Sequence, residues 1–306
     1  MSAAYWEDRF KTWWTPPGVT EEDRIENAVN AVRKAIDVSK LAGVAKVYVQ
    51  GSYRNRVNVR QESDVDIGVL YTGNTFCPAY PTGMTAADFG NVDSPYTYAT
   101  FKDEVGAALV GRFGQTGVRR GDKAFDVHPT STRVDADVIP VFEHRRYRSD
   151  KGYATGVQLF PDSGPMIINW PEALHAGWPD QHYEEGVAKN DATKRCFKGV
   201  VRILKKLRAV MEDAGNPAAK DVPGFFIECL VHNVPDATFM YPTWDETVTR
   251  VMAQIRHSTA DAARCADWKE VSGWKWLFKG SPDSKRIAAY NFIDKAWDHI
   301  GVRKYW

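Results

Sequence analysis

Residues 49–70 read VQGSYRNRVNVRQESDVDIGVL, and the order of residue types in this stretch decides the fold. An apolar run, Lys46-Val-Tyr-Val49, leads to Gly51-Ser52, a turn of small residues. After an 11-residue spacer, Asp64 to Leu70 alternates polar and apolar side chains. Alternation is the period of a β-strand, so Asp64 and Asp66 project from one surface while Val65, Ile67 and Val69 project from the other.

Two carboxylates are thereby forced together. Like charges that close repel and raise a pKa unless a cation lies between them, and hard oxygen donors suit Mg²⁺ or Mn²⁺. Taken alone, a D-x-D pair on an amphipathic strand reads first as its solvent face. The setting adds to it: a Gly-Ser turn that follows a strand offers backbone N–H groups and a hydroxyl to a phosphate. Downstream, Arg133-Val-Asp-Ala-Asp-Val-Ile139 repeats the geometry with Asp135 and Asp137, on a strand expected to stop at Pro140.

Working outward, Thr20-Glu-Glu-Asp23 followed by Ile25, Val29, Val32 and Ile36 predicts a capped amphipathic helix ended by Gly43. Residues 72–96 are rich in Pro, Gly, Thr, Asn and Asp without a period, which predicts a long surface loop and a candidate lid. A helix is expected over 98–113 and a further strand over 124–128. Beyond about Lys151 helical periodicity takes over, at 192–211, 225–232 and 288–300. The first half is thus mixed α/β and the second mainly helical, and 306 residues suit two lobes.

On the 192–211 helix, Phe197, Val200, Val201, Leu204, Leu207 and Met211 gather on one face. Counted from Lys194, the cations Lys198, Arg202 and Lys205 fall at about 40°, 80° and 20° on the same wheel. A solvated basic face and a cradle for an anion are both open readings of that stripe.

The hydrophobic fraction of 43% and charged fraction of 26% favour neither disorder nor a membrane class. No apolar run reaches the roughly 18 residues of a spanning helix, and MSAAYWEDRF has no signal-type stretch, so a cytoplasmic protein is expected. A net charge of +1 gives no push toward long nucleic acids, although a local patch is enough for a triphosphate. Cys77, Cys196, Cys229 and Cys265 are far apart and read as buried thiols rather than zinc ligands. Tyr5, Trp6, Trp13 and Trp14 read as packing more than base stacking. The histidines show no metal spacing, and Ser52 has no histidine partner that would make it a nucleophile.

Gly51-Ser52, the spacer, Asp64-Val-Asp66 and a third aspartate in an apolar strand together resemble the DNA polymerase β-like nucleotidyltransferase superfamily. Within it the chain looks most like the bacterial cGAS/DncV-like nucleotidyltransferases, relatives of oligoadenylate synthetase. The resemblance is carried by VQGSYRNRVNVRQESDVDIGVL, RVDADVIPVFEHRRY, NWPEALHAGWPDQHYEEGVAKNDATKRCFKGVVRILKKLR and VPGFFIECLVHNVP. It implies an α+β fold: a polymerase β-like core with a mixed sheet over 1–160, its N-terminal helix a candidate to span both lobes. A mainly helical, oligoadenylate-synthetase-like lobe is implied over 161–306, with the active site in the cleft between the two.

The same resemblance implies site residues. Asp64, Asp66 and Asp137 would hold two Mg²⁺ (or Mn²⁺) ions, the family's D-V-x-P setting choosing Asp137 over Asp135, which stays as the fallback. Gly51 and Ser52 would meet a phosphate. Arg202 and Lys205 match the R-x-x-K helix that binds the donor triphosphate, with Lys198 beside them. Relatives commonly carry Ser or Gln at Gly224, which here offers no side-chain hydrogen bond and also reads as the turn into the following helix.

The implied activity condenses NTPs, ATP among them, into a cyclic di- or trinucleotide with release of pyrophosphate. Its product would be a second messenger in bacterial anti-phage defence, read by a downstream effector, with a regulatory protein as a candidate partner. The end Arg303-Lys-Tyr-Trp306 does not resemble the small-residue tail through which some members are conjugated. Three other readings stand beside this one: a linear oligonucleotide or RNA nucleotidyltransferase, an enzyme that nucleotidylates protein, and a non-catalytic nucleotide sensor. Retention of all three carboxylates argues against the last.

Overall fold

A computed structural model of the chain describes residues 3–59, 64–169 and 181–301. The end of the Ser52–Asp64 spacer, much of the NWPEALHAGWPDQ segment and the tail Arg303-Lys-Tyr-Trp306 lie outside the described residues. In chain order the elements are α1 (Ala3–Trp13), α2 (Val19–Asp37), β1 (Ala45–Gln50), α3 (Gly51–Arg54), β2 (Asp64–Ala79), α4 (Tyr98–Phe113), β3 (Val118–Arg120) and β4 (Phe125–Val127). There follow β5 (Asp135–Tyr147), β6 (Tyr153–Leu159), β7 (Ile167–Asn169), α5 (Gln181–Ala192), α6 (Cys196–Asp213), α7 (Gly224–His232), α8 (Trp244–Thr259) and α9 (Asp283–Ile300). They divide into two compact units, one of residues 18–53 and 64–169, the other of residues 3–17, 54–59 and 181–301.

The first unit is a mixed sheet with strand order β1-β2-β5-β4-β3, and β6 and β7 extend it from the later half of β5. β1 and β2 run antiparallel, whereas β2 and β5 run parallel. Val65, Ile67 and Val69 of β2 and Ala136 and Val138 of β5 are buried, as are Ile25, Val29, Val32 and Ile36 of α2 and Phe101, Val105 and Leu109 of α4. Each fully buried side chain of that size contributes roughly 1.5–3 kcal/mol. Thr97 starts α4 by accepting the Thr100 N–H at 3.1 Å, and Gly114 ends it, so this helix runs as its sequence predicts.

Three expectations for this unit are corrected. β5 does not stop at Pro140 but continues to Tyr147. Pro140 falls after the residues that pair with β4 (136–138) and before those that pair with β6 (142–147), where no strand on that side asks for its missing N–H. Residues 72–79 are strand rather than loop: β2 resumes its ladder with β5 at Phe76 after an irregularity that begins at Tyr71. Finally, α2 starts at Val19 behind Gly18 with no side-chain cap, so the anticipated Thr20 capping box does not form.

The second unit is helical and built on one apolar cluster. Trp6 and Phe10 of α1, Phe197 to Met211 of α6, Ile227 and Leu230 of α7, Val248 to Ile255 of α8 and Phe292 to Ile300 of α9 all contribute to it. Of the N-terminal aromatics, Trp6 is buried and stacks on Phe10 and Trp13 packs on the cluster, whereas Trp14 stacks on Trp244 at 5.1 Å while staying exposed, as does Tyr5. The expected continuous helix over 192–211 is broken, because Lys194 and Arg195 adopt left-handed φ of 49° and 69°. α6 therefore begins at Cys196, and Lys194 drops out of its basic stripe. All four cysteines are free thiols, two of them buried. Among the described residues no helix is long and apolar enough to cross a membrane.

Candidate active site

Asp64 and Asp66 open β2, and its parallel ladder sets Asp64 opposite Asp135 and Asp66 opposite Asp137. Paired residues on neighbouring strands share a face, so the four carboxylates stand on one surface, away from the buried valines and isoleucine between them. A fifth joins from the far side of β5, where Asp126 of β4 pairs with Asp137. Arg119 compensates Asp126, donating from Nε at 3.1 Å and from Nη2 at 2.7 Å to its Oδ2.

The electrostatic consequence falls on β5. Burial and then the charges of Asp64, Asp126 and Asp135 push the Asp137 carboxyl above its usual range. Asp135 is raised as well, by burial first and Asp126 second. Its Oδ1 is buried without a hydrogen-bond partner. A cation would relieve all of these at once.

Among the described residues no three His, Cys, Asp or Glu side chains close into a ready-made metal cage. Mg²⁺ is characteristically held by one or two carboxylates and completed by water and ligand oxygens. The donor set, all hard carboxylate oxygen on one face, suits Mg²⁺ or Mn²⁺, and the orphaned oxygen marks where donors are in excess.

Gly51 sits against this face. Its φ is +69°, and a Cβ there would collide with the Asp66 carboxylate. Glycine lets the backbone turn left-handed while passing this close to the Asp66 carboxylate. Ser52 follows, half-buried in the single turn of α3. Gly51, Ser52 and Asp66 are therefore one local construction, made by the antiparallel pairing of Gln50 with Asp66.

In the helical unit the cations of α6 are not a solvated stripe. Lys198, Arg202 and Lys205 are exposed by only 8%, 5% and 8%. Arg202 donates from Nε to the Trp14 carbonyl at 2.6 Å and from Nη1 to the Arg56 carbonyl at 2.5 Å. Burial pulls its pKa down to about 10. Lys205 Nζ donates to the Val57 carbonyl at 3.1 Å. Lys198 and Arg54 both lie over the Tyr183 ring, at 5.3 and 3.9 Å from its centroid. Gly224, at the start of α7, leaves room for Lys205, whose Cε would sit 2.8 Å from a Cβ placed there.

Sequence reasoning missed Asp126, Tyr183 and the buried Glu228 of α7. Asp126 and Glu228 left a trace, each being a lone acid between apolar neighbours in Phe125-Asp-Val127 and Ile227-Glu-Cys229. Tyr183 left none.

Residues 184–301 match the family described as cGAS/DncV-like nucleotidyltransferase C-terminal helical domain. Over 303 residues the chain is 35% identical to a cyclic dipyrimidine nucleotide synthase (CdnE) of Cecembia lonarensis, covering 97% of this chain and 99% of the relative. The solved structure of Elizabethkingia meningoseptica CdnE cyclic dinucleotide synthase with GTP and Apcpp matches with a TM-score of 0.79 at 32% identity, over 97% of this chain and 99% of that one. The Rhodothermus marinus CdnE c-UMP-AMP synthase with Apcpp and Upnpp matches with a TM-score of 0.78 at 29% identity, over 98% and 99%. Similarity that runs almost end to end, on a chain whose sheet carries the paired aspartates, leads to one conclusion: the protein belongs to the cGAS/DncV-like nucleotidyltransferases.

Proposed function

We propose that this protein is a divalent-metal-dependent nucleotidyltransferase that condenses NTPs, ATP among them, into a cyclic di- or trinucleotide and releases pyrophosphate. The observation that carries the reading is the β2–β5 register, which sets Asp66 opposite Asp137 and Asp64 opposite Asp135 on one face. The relatives' names point the same way, and they differ in base: dipyrimidine for one, UMP with AMP for another. Base choice therefore does not travel with the family.

Bound Mg²⁺ would supply acidity for an acceptor ribose hydroxyl and charge neutralisation for the leaving pyrophosphate. Asp64, Asp66 and Asp137 would hold the two ions, with Asp135 the alternative third ligand. Gly51 and Ser52 offer a backbone N–H and a hydroxyl to a phosphate oxygen. Lys198, Arg202 and Lys205 supply the positive field for the donor triphosphate, and Gly224 gives Lys205 its course. Alignment and preorganised charge are enough for phosphoryl transfer, which needs no covalent intermediate on the protein. The activity belongs in the cytoplasm, where NTPs are available, and its product calls for an effector that binds it. A regulatory protein partner remains part of this reading.

The test is incubation with all four NTPs and Mg²⁺ or Mn²⁺, then mass spectrometry after phosphatase treatment. A phosphatase-resistant cyclic product is expected, lost with EDTA and in Asp64→Ala. A product that phosphatase shortens, or label retained on the polypeptide, would redirect the reading to linear or protein nucleotidylation.

A further inference from the structure

Glu228 is the lone acid of α7, within GFFIECLVH, and is 3% exposed. A buried carboxylate costs several kcal/mol unless it is paired and hydrogen-bonded, so its partners indicate what it is for. Oε1 of Glu228 lies 3.1 Å from Nε2 of His182 on α5. Burial alone would raise its carboxyl, but His182, Lys205 and Lys198 together hold it below the usual range.

The relation is reciprocal on α6. Burial pulls the Lys198 ammonium down, and Arg56 and Arg202 push the same way, while Glu228 and Asp191 push it back up. Gly224 lies one helical turn before Glu228, on the same face of α7. Lys205 crosses that turn where a Cβ is missing and ends on the Val57 carbonyl. Asn190 of α5 accepts the Lys198 N–H at 3.1 Å, and Thr193 accepts the Phe197 N–H at 3.0 Å, which fixes where α6 starts and so where Lys198 stands. The titratable groups around Glu228 are thus His182 on α5, Lys198 and Lys205 on α6 and His232 on its own helix.

We propose that Glu228 is a positioning residue for nucleotide binding: it is the internal counter-ion that keeps Lys198 and Lys205 charged and fixed for a triphosphate. This rests on the reading that those lysines serve the triphosphate. Arg202 spends Nε and Nη1 on the carbonyls of Trp14 and Arg56, so the lysine charge carries more of the task. Without the carboxylate the buried Lys198 ammonium would face the Arg56 and Arg202 charges with less to offset them, and shedding a proton is the least costly relief. Phosphate affinity would fall, and fall further as pH rises.

The experiment uses the full chain with Glu228→Gln and Glu228→Asp. It reads KM and kcat for pyrophosphate release, and Kd for a non-hydrolysable ATP analogue with Mg²⁺ by calorimetry, at about pH 7 and about pH 9. Glu228→Gln is expected to raise KM and Kd about tenfold at the lower pH and more at the higher, with kcat within about twofold. Glu228→Asp should recover most of the loss. A purely structural role would instead lower the active fraction with KM unchanged at both pH values, and that result overturns the proposal, as does tighter binding. Should Glu228→Gln fail to fold, competitive amine labelling of the parent decides: Lys198 titrating above about pH 9 supports the role and below it overturns it. A parent that binds no analogue overturns the nucleotide reading as well, whereas parent-like binding by folded Glu228→Gln overturns only the part given to Glu228.

Discussion

Asp66 on β2 stands opposite Asp137 on β5 in a parallel ladder, and the pairing puts the two carboxylates on one face. Asp126 adds a third from the other side of β5. Such a face is held against its own repulsion by the rest of the fold. The apo protein should therefore gain stability when charge is removed and lose its chemistry at the same time.

Asp137→Asn is expected to raise the melting temperature in EDTA by about 2–4 °C, on the order of 1 kcal/mol, while lowering pyrophosphate release by at least about a thousandfold. Mg²⁺ should then raise the melting temperature of the parent and leave the variant nearly unchanged. Thermal melts with and without the ion check both statements. A variant that melts below the parent in EDTA would show that Asp137 is not under repulsion.

Gly51→Ala combines two penalties. A left-handed φ costs a non-glycine residue about 1–2 kcal/mol, and the new Cβ drives into the Asp66 carboxylate. The expected outcome is a stable protein with a modestly lower melting temperature and kcat/KM down by at least about a hundredfold, because a ligand displaced by about 1 Å costs that much. Activity within threefold of the parent would mean that Asp66 can move freely.

Gly224→Ser places an atom 2.8 Å from Lys205 Cε, at the far end of a side chain whose ammonium is tied to the Val57 carbonyl. This flexible end can yield by moving, which strains that bond, worth about 1–3 kcal/mol for a charged donor. NTP affinity should weaken severalfold with kcat near the parent value. Calorimetry with an ATP analogue measures it, and unchanged affinity would separate Lys205 from the nucleotide.

His232 on α7 supplies a pH dependence. Burial, then the Lys189 charge, brings its pKa down to about 4. The unfolded chain, near the ordinary value of about 6.5, binds this proton more readily, so stability from this group is complete above pH 6.5 and lost as pH falls toward 4. The full span is about 3 kcal/mol. Urea titrations at about pH 7 and pH 5 should show the loss, and His232→Asn should flatten it; an unchanged slope in the variant assigns the acid sensitivity elsewhere.

What a short window of residues specifies could be read from the sequence. The face shared by Asp64 and Asp66 follows from strand alternation, and the span of α4 reads from the sequence as a helix over 98–113, since both depend on neighbours within a turn or two. The resemblance selected Asp137, and Gly51 was legible as a turn residue. Tertiary structure alone decided the rest. Pairing of β2 with β5 brought Asp66 to Asp137 and, through β4, brought Asp126, which the sequence marks only as a lone acid between Phe125 and Val127. A helical wheel put Lys198, Arg202 and Lys205 on one side of α6 but could not say whether water or protein lies against it. Arg202 meets the carbonyl of Arg56, 146 residues away, and Lys205 that of Val57, 148 away. Periodicity is a property of adjacent residues, whereas register and burial belong to segments that meet only once the chain has folded.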